Sequence, residues 1–222
     1  MNEKSSGVAI LQFAKIELIK PYQHAATMLI ATSVVRESCN LQYNKTYFMK
    51  KIGLFYGSST CYTEFAAEKI RDAFPNGSVE LHDVSKSPLP LANNYDSLIF
   101  GTPTWDYGEL QEDWEQIWPE IAELTLSGKA VALYGLGDAV GYAEWFQDAM
   151  GYLYHALVKQ GAAPIGSFPV SGFEFDDSKA LNASKTHFVG LSLDEENQPE
   201  LSDQRIQEWV ASIKDKMLGT ST

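Results

Sequence analysis

The sequence predicts a doubly wound α/β fold, a parallel β-sheet with helices packed on both faces. Three observations carry this. From Lys51 onward, short apolar runs alternate with segments of helical periodicity, the pattern of a parallel sheet under helical crossovers. The strand-like runs are almost continuously apolar, as strands buried on both faces are. No linker divides residues 49–222, and a chain of 222 residues with 45% hydrophobic content can bury a sizeable core in one domain.

In chain order, residues 52–56 (Ile-Gly-Leu-Phe-Tyr) form the first strand, and the helix after it places Ala66, Ile70, Ala73 and Phe74 at helical spacing. Residues 79–82 read as strand two. Ser87-Pro88-Leu89-Pro90 breaks regular structure, so a loop with little helix follows. Residues 97–101 are strand three. Residues 112–124 are helical, with Glu112, Asp113 and Glu115 placed where acidic side chains favour a helix N-terminus. Residues 130–134 are strand four, and residues 143–160 a helix closed by Gly161. Strand five is split into residues 165–170 and 188–193 around a polar insertion. The last helix takes Ser202 as its N-cap and lines up Ile206, Trp209, Val210, Ile213 and Met217 on one face.

Residues 1–48 differ from the rest. They carry Lys4, Lys15, Lys20, Arg36 and Lys45 against Glu3, Glu17 and Glu37, a positive balance in a chain of net charge -12. Their longest apolar run, residues 25–35, falls short of the ~20 residues a membrane helix needs. Met49-Lys50-Lys51 looks like a natural start, so 1–48 is expected to be an N-terminal extension, disordered or non-native. A targeting segment is the alternative.

The acidic balance disfavours nucleic acid and anionic membranes and favours basic partners. Cys39 and Cys61 lack metal-ligand spacing and form no disulfide framework, so a reducing compartment, the cytoplasm, is expected. His24, His82, His155 and His187 form no cluster, and no metal site is read from them.

In an open parallel sheet, ligands bind beyond the carboxyl ends of the strands. Three such ends stand out. The first, Gly57-Ser58-Ser59-Thr60-Cys61-Tyr62-Thr63-Glu64, sets hydroxyls and free N–H groups at a helix start, which suits an anion. It holds no Lys or Arg, unlike the loop of a nucleoside triphosphatase, so a single terminal phosphate fits better. Taken alone it is equally an ordinary helix cap. The second end, Gly101 onward through Pro103, Thr104, Trp105, Asp106, Tyr107 and Gly108, puts a tryptophan on a loop. The third, Gly137 and Asp138 through Tyr142 to Phe146, does the same with a tyrosine. Two aromatic residues beside one phosphate site point to a flat ring held between them. Either aromatic alone fits surface packing.

From Met49 to about Leu218 the chain resembles the long-chain bacterial flavodoxins. The first loop is similar to T-x-T-G-x-T, matched by Ser58 to Thr63. The second resembles P-T-W-x-x-G-E-x-Q-x-D-W, matched by Pro103 to Trp114. The third resembles G-D-x-x-x-Y-A-x-x-F, matched by Gly137 to Phe146, and residues 188–198 resemble the segment after the long-chain insertion. Cys61 departs from the family by standing where most relatives have glycine. It reads as a small loop residue, with a redox-sensing thiol as the alternative.

The resemblance implies a five-stranded sheet in the order 2-1-3-4-5, for which flavodoxin is itself a standard illustration, with flavin mononucleotide (FMN) at the switch point. It implies a cofactor site made of Ser58, Ser59, Thr60, Cys61, Tyr62, Thr63, Pro103, Thr104, Trp105, Asp106, Tyr107, Gly108, Gly137, Asp138, Tyr142 and Phe146. Ser58, Thr60 and Thr63 would hold the phosphate, Trp105 and Tyr142 would sandwich the ring, and Asp138 would lie near its pyrimidine edge. The implied function is one-electron carriage by a monomer, from an NADPH-dependent flavodoxin/ferredoxin reductase to acceptor redox enzymes. Two rivals are an FMN-dependent NAD(P)H or quinone reductase and a flavin-free phospho-receiver. The latter needs acidic residues at the first strand end, where Gly57-Ser58 stands.

Overall fold

The strand β1, Ile52–Tyr56, is buried along its whole length, as an apolar run in the middle of a parallel sheet must be. It belongs to a computed structural model that describes residues 51–220; the extension expected at 1–48 lies outside the described residues. After β1 come helix α1 (Tyr62–Ala73), β2 (Val79–Asp83) and a 3₁₀ turn at Leu89–Asn94. The long strand β3 (Ser97–Trp105) is followed by a two-residue strand β4 (Glu109–Leu110), helix α2 (Glu112–Ile117) and a 3₁₀ turn at Trp118–Glu123. Then follow β5 (Ala130–Leu136), a 3₁₀ turn at Ala143–Trp145, and helix α3 (Asp148–Lys159). The short strands β6 (Phe168–Pro169), β7 (His187–Phe188) and β8 (Leu191–Leu193) precede the final helix α4 (Pro199–Leu218).

The main sheet has the order β2-β1-β3-β5-β8, and β4 adds to β3. Every pairing along that path is parallel, while β4 runs antiparallel. The five parallel strands thus take the order 2-1-3-4-5, and the direction of winding reverses between β1 and β3. Side chains alternate across the sheet with period two. Leu54, Ile99, Ala132 and Tyr134 face one core with Ala67 of α1 and Trp209 of α4, whereas Phe55, Phe100, Val131 and Leu133 face a second core with Leu153 of α3.

Several boundaries differ from the sequence reading. β3 runs on through Pro103, Thr104 and Trp105, so Trp105 ends a strand paired with Glu109 and does not sit on a free loop. The helix expected over 112–124 changes to 3₁₀ at Trp118, where Pro119 supplies no N–H for the α-helical ladder. The helix expected from Ala143 starts at Asp148, because Gln147 adopts a left-handed φ of 65°. The split of strand five is real but uneven. Ile165 touches the sheet through one parallel bridge to Ala132, Phe168–Pro169 leaves to pair with His187–Phe188, and only Leu191–Leu193 joins β5. Ser202 is not a cap. α4 opens at Pro199, where a missing N–H costs nothing, and Ser202 is fully buried within the helix.

Candidate cofactor site

The carboxyl ends of β1, β3 and β5 open onto one cleft, a cavity of about 310 Å³. Thr60, Tyr62 and Thr63 line it from the first loop, and Pro103, Thr104, Trp105 and Asp106 from the end of β3. Leu136 ends β5, Gly137, Asp138, Tyr142, Trp145 and Phe146 come from the third loop, and Glu195 and Glu196 from beyond β8. None of these lining residues is Lys or Arg.

The first loop is shaped for an anion. Cys61 precedes α1 with φ 68° and no side chain caps the helix, so the N–H groups of the first turn remain open to a ligand. The helix ladder begins at once, with Phe65 N–H donating to the Cys61 carbonyl at 2.8 Å. The Ser58 hydroxyl is buried without a hydrogen-bond partner, an unusual state for a buried polar atom. From below, the buried Tyr134 hydroxyl donates to the Thr63 carbonyl at 2.9 Å, and burial raises its pKa well above the ordinary phenol value. Tyr56 O–H donates to Glu64 at 3.2 Å, and its pKa too is raised, by burial first and the Glu64 charge second.

The left-handed turn at Cys61 is the conformation that a glycine adopts without cost, which fits the glycine at this place in the motif T-x-T-G-x-T that the loop resembles. Replacing Cys61 with glycine is therefore expected to leave stability within about 1 kcal/mol, relief of strain offsetting the added freedom of the unfolded chain. A β-branched Cys61→Val should cost about 1–2 kcal/mol. Urea unfolding of the two variants checks this, and equal tolerance of valine and glycine would refute it.

Beyond β3 the chain turns sharply. Gly108 N–H donates to the Trp105 carbonyl at 3.0 Å, and Glu109 pairs back onto Trp105. Asp106 takes φ 40° and Gly108 φ 91° to make that turn, and Gly108 packs so closely on Asp148 that a Cβ would lie 2.9 Å from its carboxylate. Trp105 is half-buried, with its Nε1–H buried and unpartnered. Thr104 accepts a bond from Ala149 N–H at 3.2 Å, which fastens the strand end to α3.

The third loop is organised by carboxylates. Val140 and Gly141 N–H donate to Asp138 Oδ1 at 3.0 and 2.7 Å, and the Asn197 amide adds a bond at 2.8 Å. Burial pushes the Asp138 carboxyl up, but these donors outweigh it and hold the group below the usual carboxylate range. Behind it Asp194, fully buried, accepts from Ala139 N–H at 3.1 Å and from the backbone of Glu196 and Asn197 at 3.2 and 3.0 Å. Tyr142, also on the cleft wall, meets Tyr107 edge-on, with ring centroids 6.3 Å apart. Tyr107 also meets Trp145 at 5.1 Å.

Of the residues expected at the site, Thr60, Tyr62, Thr63, Pro103, Thr104, Trp105, Asp106, Gly137, Asp138, Tyr142 and Phe146 share the cleft. Phe146 is only 1% exposed, a wall anchored among Phe173, Phe175 and Phe188. Ser58, Ser59, Cys61, Tyr107 and Gly108 lie off the cavity wall. Ser59 instead lines a neighbouring acidic hollow with Asp106, Glu109, Glu112 and Glu115. Leu136, Trp145, Glu195 and Glu196 were missed. Trp145 lies inside the third motif, and the strand-end rule applied to β8 leads directly to Glu195 and Glu196.

Together these features define an α/β protein built to hold a flat, phosphate-bearing ligand at the switch point of its sheet. The chain belongs to the flavodoxin family, whose profile matches residues 54–209. It is 53% identical over 166 residues to flavodoxin 2 of Escherichia coli, covering 75% of this chain and 96% of that protein. It is 50% identical over 165 residues to a flavodoxin of Nostoc sp., covering 74% and 96%. A crystal structure of Fusobacterium nucleatum flavodoxin bound to flavin mononucleotide superposes with a TM-score of 0.72 at 31% identity, over 76% of this chain and 99% of that one.

Proposed function

We propose that this protein is a low-potential one-electron carrier that holds FMN non-covalently in the cleft between the three strand ends. The observation that carries the reading is a matched pair of buried, unpartnered polar atoms. Ser58 Oγ lies where the phosphate loop meets β1, and Trp105 Nε1 lies beside the aromatic slot. Unpaired polar atoms in a folded interior signal an absent partner. Trp105 lines the cleft, and Ser58, though off its wall, belongs to the same loop as Thr60 and Thr63, which line it, so a phosphate-bearing aromatic ligand there would draw on both. FMN supplies the redox chemistry. The chain's part is to bind and orient: the Ser58, Thr60 and Thr63 hydroxyls and the first N–H groups of α1 take the phosphate, while Trp105 and Tyr142 take the faces of the ring. Membership of the flavodoxin family and the FMN-bound relative support this reading.

The purified protein should be yellow and release FMN on denaturation; a colourless protein that takes up no added FMN would end the proposal. An FMN-dependent reductase shares the fold but needs room for a second substrate beside the flavin, and Trp105 and Tyr142, the two aromatic residues proposed on the faces of the ring, leave little. Negligible steady-state turnover of NAD(P)H with quinones separates carrier from reductase.

Phosphate capture by neutral donors makes a quantitative demand. Thr60→Ala and Thr63→Ala should each weaken FMN binding by about 1–3 kcal/mol, the usual loss for bonds to a charged group. Riboflavin, which lacks the phosphate, should be nearly unaffected. Equal losses for both flavins would assign these threonines to the fold alone.

The rim also bears on partners. Asp106, Glu109, Glu112 and Glu115 border one side of Trp105, and Glu195 and Glu196 line the cleft itself. Such a surface suits transient docking to a basic redox partner such as an NADPH-dependent flavodoxin/ferredoxin reductase. Association should slow markedly between 0.01 and 0.1 M salt, as the screening length falls from about 30 to about 10 Å. Stopped-flow rates that ignore ionic strength would rule out electrostatic docking.

A further inference from the structure

Gln111 does not line the cleft, yet its side chain is bonded into the phosphate loop. It caps the N-terminus of α2 and is only 1% exposed. Its Oε1 accepts Trp114 N–H at 3.3 Å, and its Nε2 donates to Asp113 Oδ2 at 2.6 Å and to Ser59 Oγ at 3.1 Å. The orientation of the amide is fixed by its neighbours. A carboxylate can only accept and a backbone N–H can only donate, so the nitrogen must face Asp113 and Ser59. The bond to Ser59 spans 52 residues and joins the first loop to the second. The amide also packs against Gly57, where any Cβ would collide with its oxygen and with the Trp114 ring.

We infer that Gln111 is a positioning residue for phosphate capture, holding the Ser58–Thr60 segment so that its donors stay converged on an anion. This rests on the proposed FMN site. The physical reason is that the loop has little else to hold it. On one side Gly57 N–H reaches the Gly101 carbonyl at a long 3.3 Å, and on the other Tyr134 grips Thr63. Between those points Ser59 is exposed, and the Gln111 amide is the side chain that anchors it. A loop whose donors must converge without any basic residue depends on such preorganisation.

The test uses the full chain and two ligands, FMN and riboflavin, with dissociation constants from flavin fluorescence titration. Gln111→Met keeps the bulk and removes both donors, Ser59→Ala removes the acceptor, and Ser59→Thr restores it. Gln111→Met and Ser59→Ala are each expected to weaken FMN about 10-fold while riboflavin stays within about 2-fold, and Ser59→Thr should recover most of the loss. Because the two side chains act through one bond, the double variant should be no weaker than the worse single one. FMN binding left intact by Gln111→Met, riboflavin falling in step with FMN, or losses that simply add would each overturn the positioning role while leaving the phosphate site standing. A wild-type protein that binds FMN no better than riboflavin would instead remove the phosphate site, and this inference with it.

Discussion

Truncating Trp114 to alanine is expected to lower the free energy of unfolding by about 3–5 kcal/mol, the range for deleting a buried tryptophan. Trp114 is fully buried on α2 and its Nε1–H donates to the carbonyl of Gly101, the last β3 residue paired with β1, at 2.9 Å. Its ring meets Phe100 edge-on at 6.4 Å and backs Gly57 at the start of the phosphate loop. Three contributions are lost together: apolar burial, packing around the cavity left behind, and the shorter of two hydrogen bonds to the Gly101 carbonyl, which keeps only the 3.3 Å bond from Gly57 N–H. Against a total stability of about 5–15 kcal/mol this is a large fraction. With a urea dependence near 2 kcal/mol per M, the unfolding midpoint should fall by about 2 M. Trp114→Phe keeps most of the packing and loses the hydrogen bond, so it should cost less. A loss under about 1 kcal/mol for the alanine variant would show that the loops hold without this support.

The alternation of strands and helices was legible because buried parallel strands need apolar runs, and β1 came out at its predicted bounds. The two-part fifth strand was legible too, since Ile165 and Leu191 both reach β5. What failed were boundaries that tertiary contacts decide. β3 extends because β4 folds back on it, a pairing that no local propensity announces in a two-residue strand. Ser202 has the composition of a cap, but Asp194 accepts Gln198 N–H at 3.0 Å and starts the helix earlier, at Pro199. At the site, the residues drawn from motif positions divide by geometry. Thr60 and Thr63 face the cleft while Ser59, between Ser58 and Thr60, turns to Gln111, a distinction that a hydroxyl-rich string cannot express. Glu195 and Glu196 went unnoticed because the end of the segment read as residues 188–193, of which Leu191–Leu193 is β8, was not treated as a ligand-facing strand end.

Trp105→Ala is expected to weaken the binding of FMN and riboflavin alike. The ring ends β3 on the cleft wall, half-buried and held by the pairing of its own backbone with Glu109. Loss of one stacked aromatic face is worth about 1–3 kcal/mol, so affinity should fall roughly 10- to 100-fold. Because the lost contact is with the ring, FMN and riboflavin should fall together, unlike the phosphate-selective losses at Thr60, Thr63 and Gln111. A loss confined to FMN would place Trp105 at the phosphate, and no loss would remove it from the site. Trp105→Phe separates stability from binding. The indole Nε1–H is buried without an acceptor, and an unmet buried donor costs about 1–3 kcal/mol. Replacing it with a ring that has no donor should leave the flavin-free protein as stable as wild type, or more so, in urea unfolding, while still weakening both flavins. A tryptophan kept at some cost to the empty fold is kept for what it binds. Destabilisation of the flavin-free protein by Trp105→Phe would show instead that the indole serves the fold.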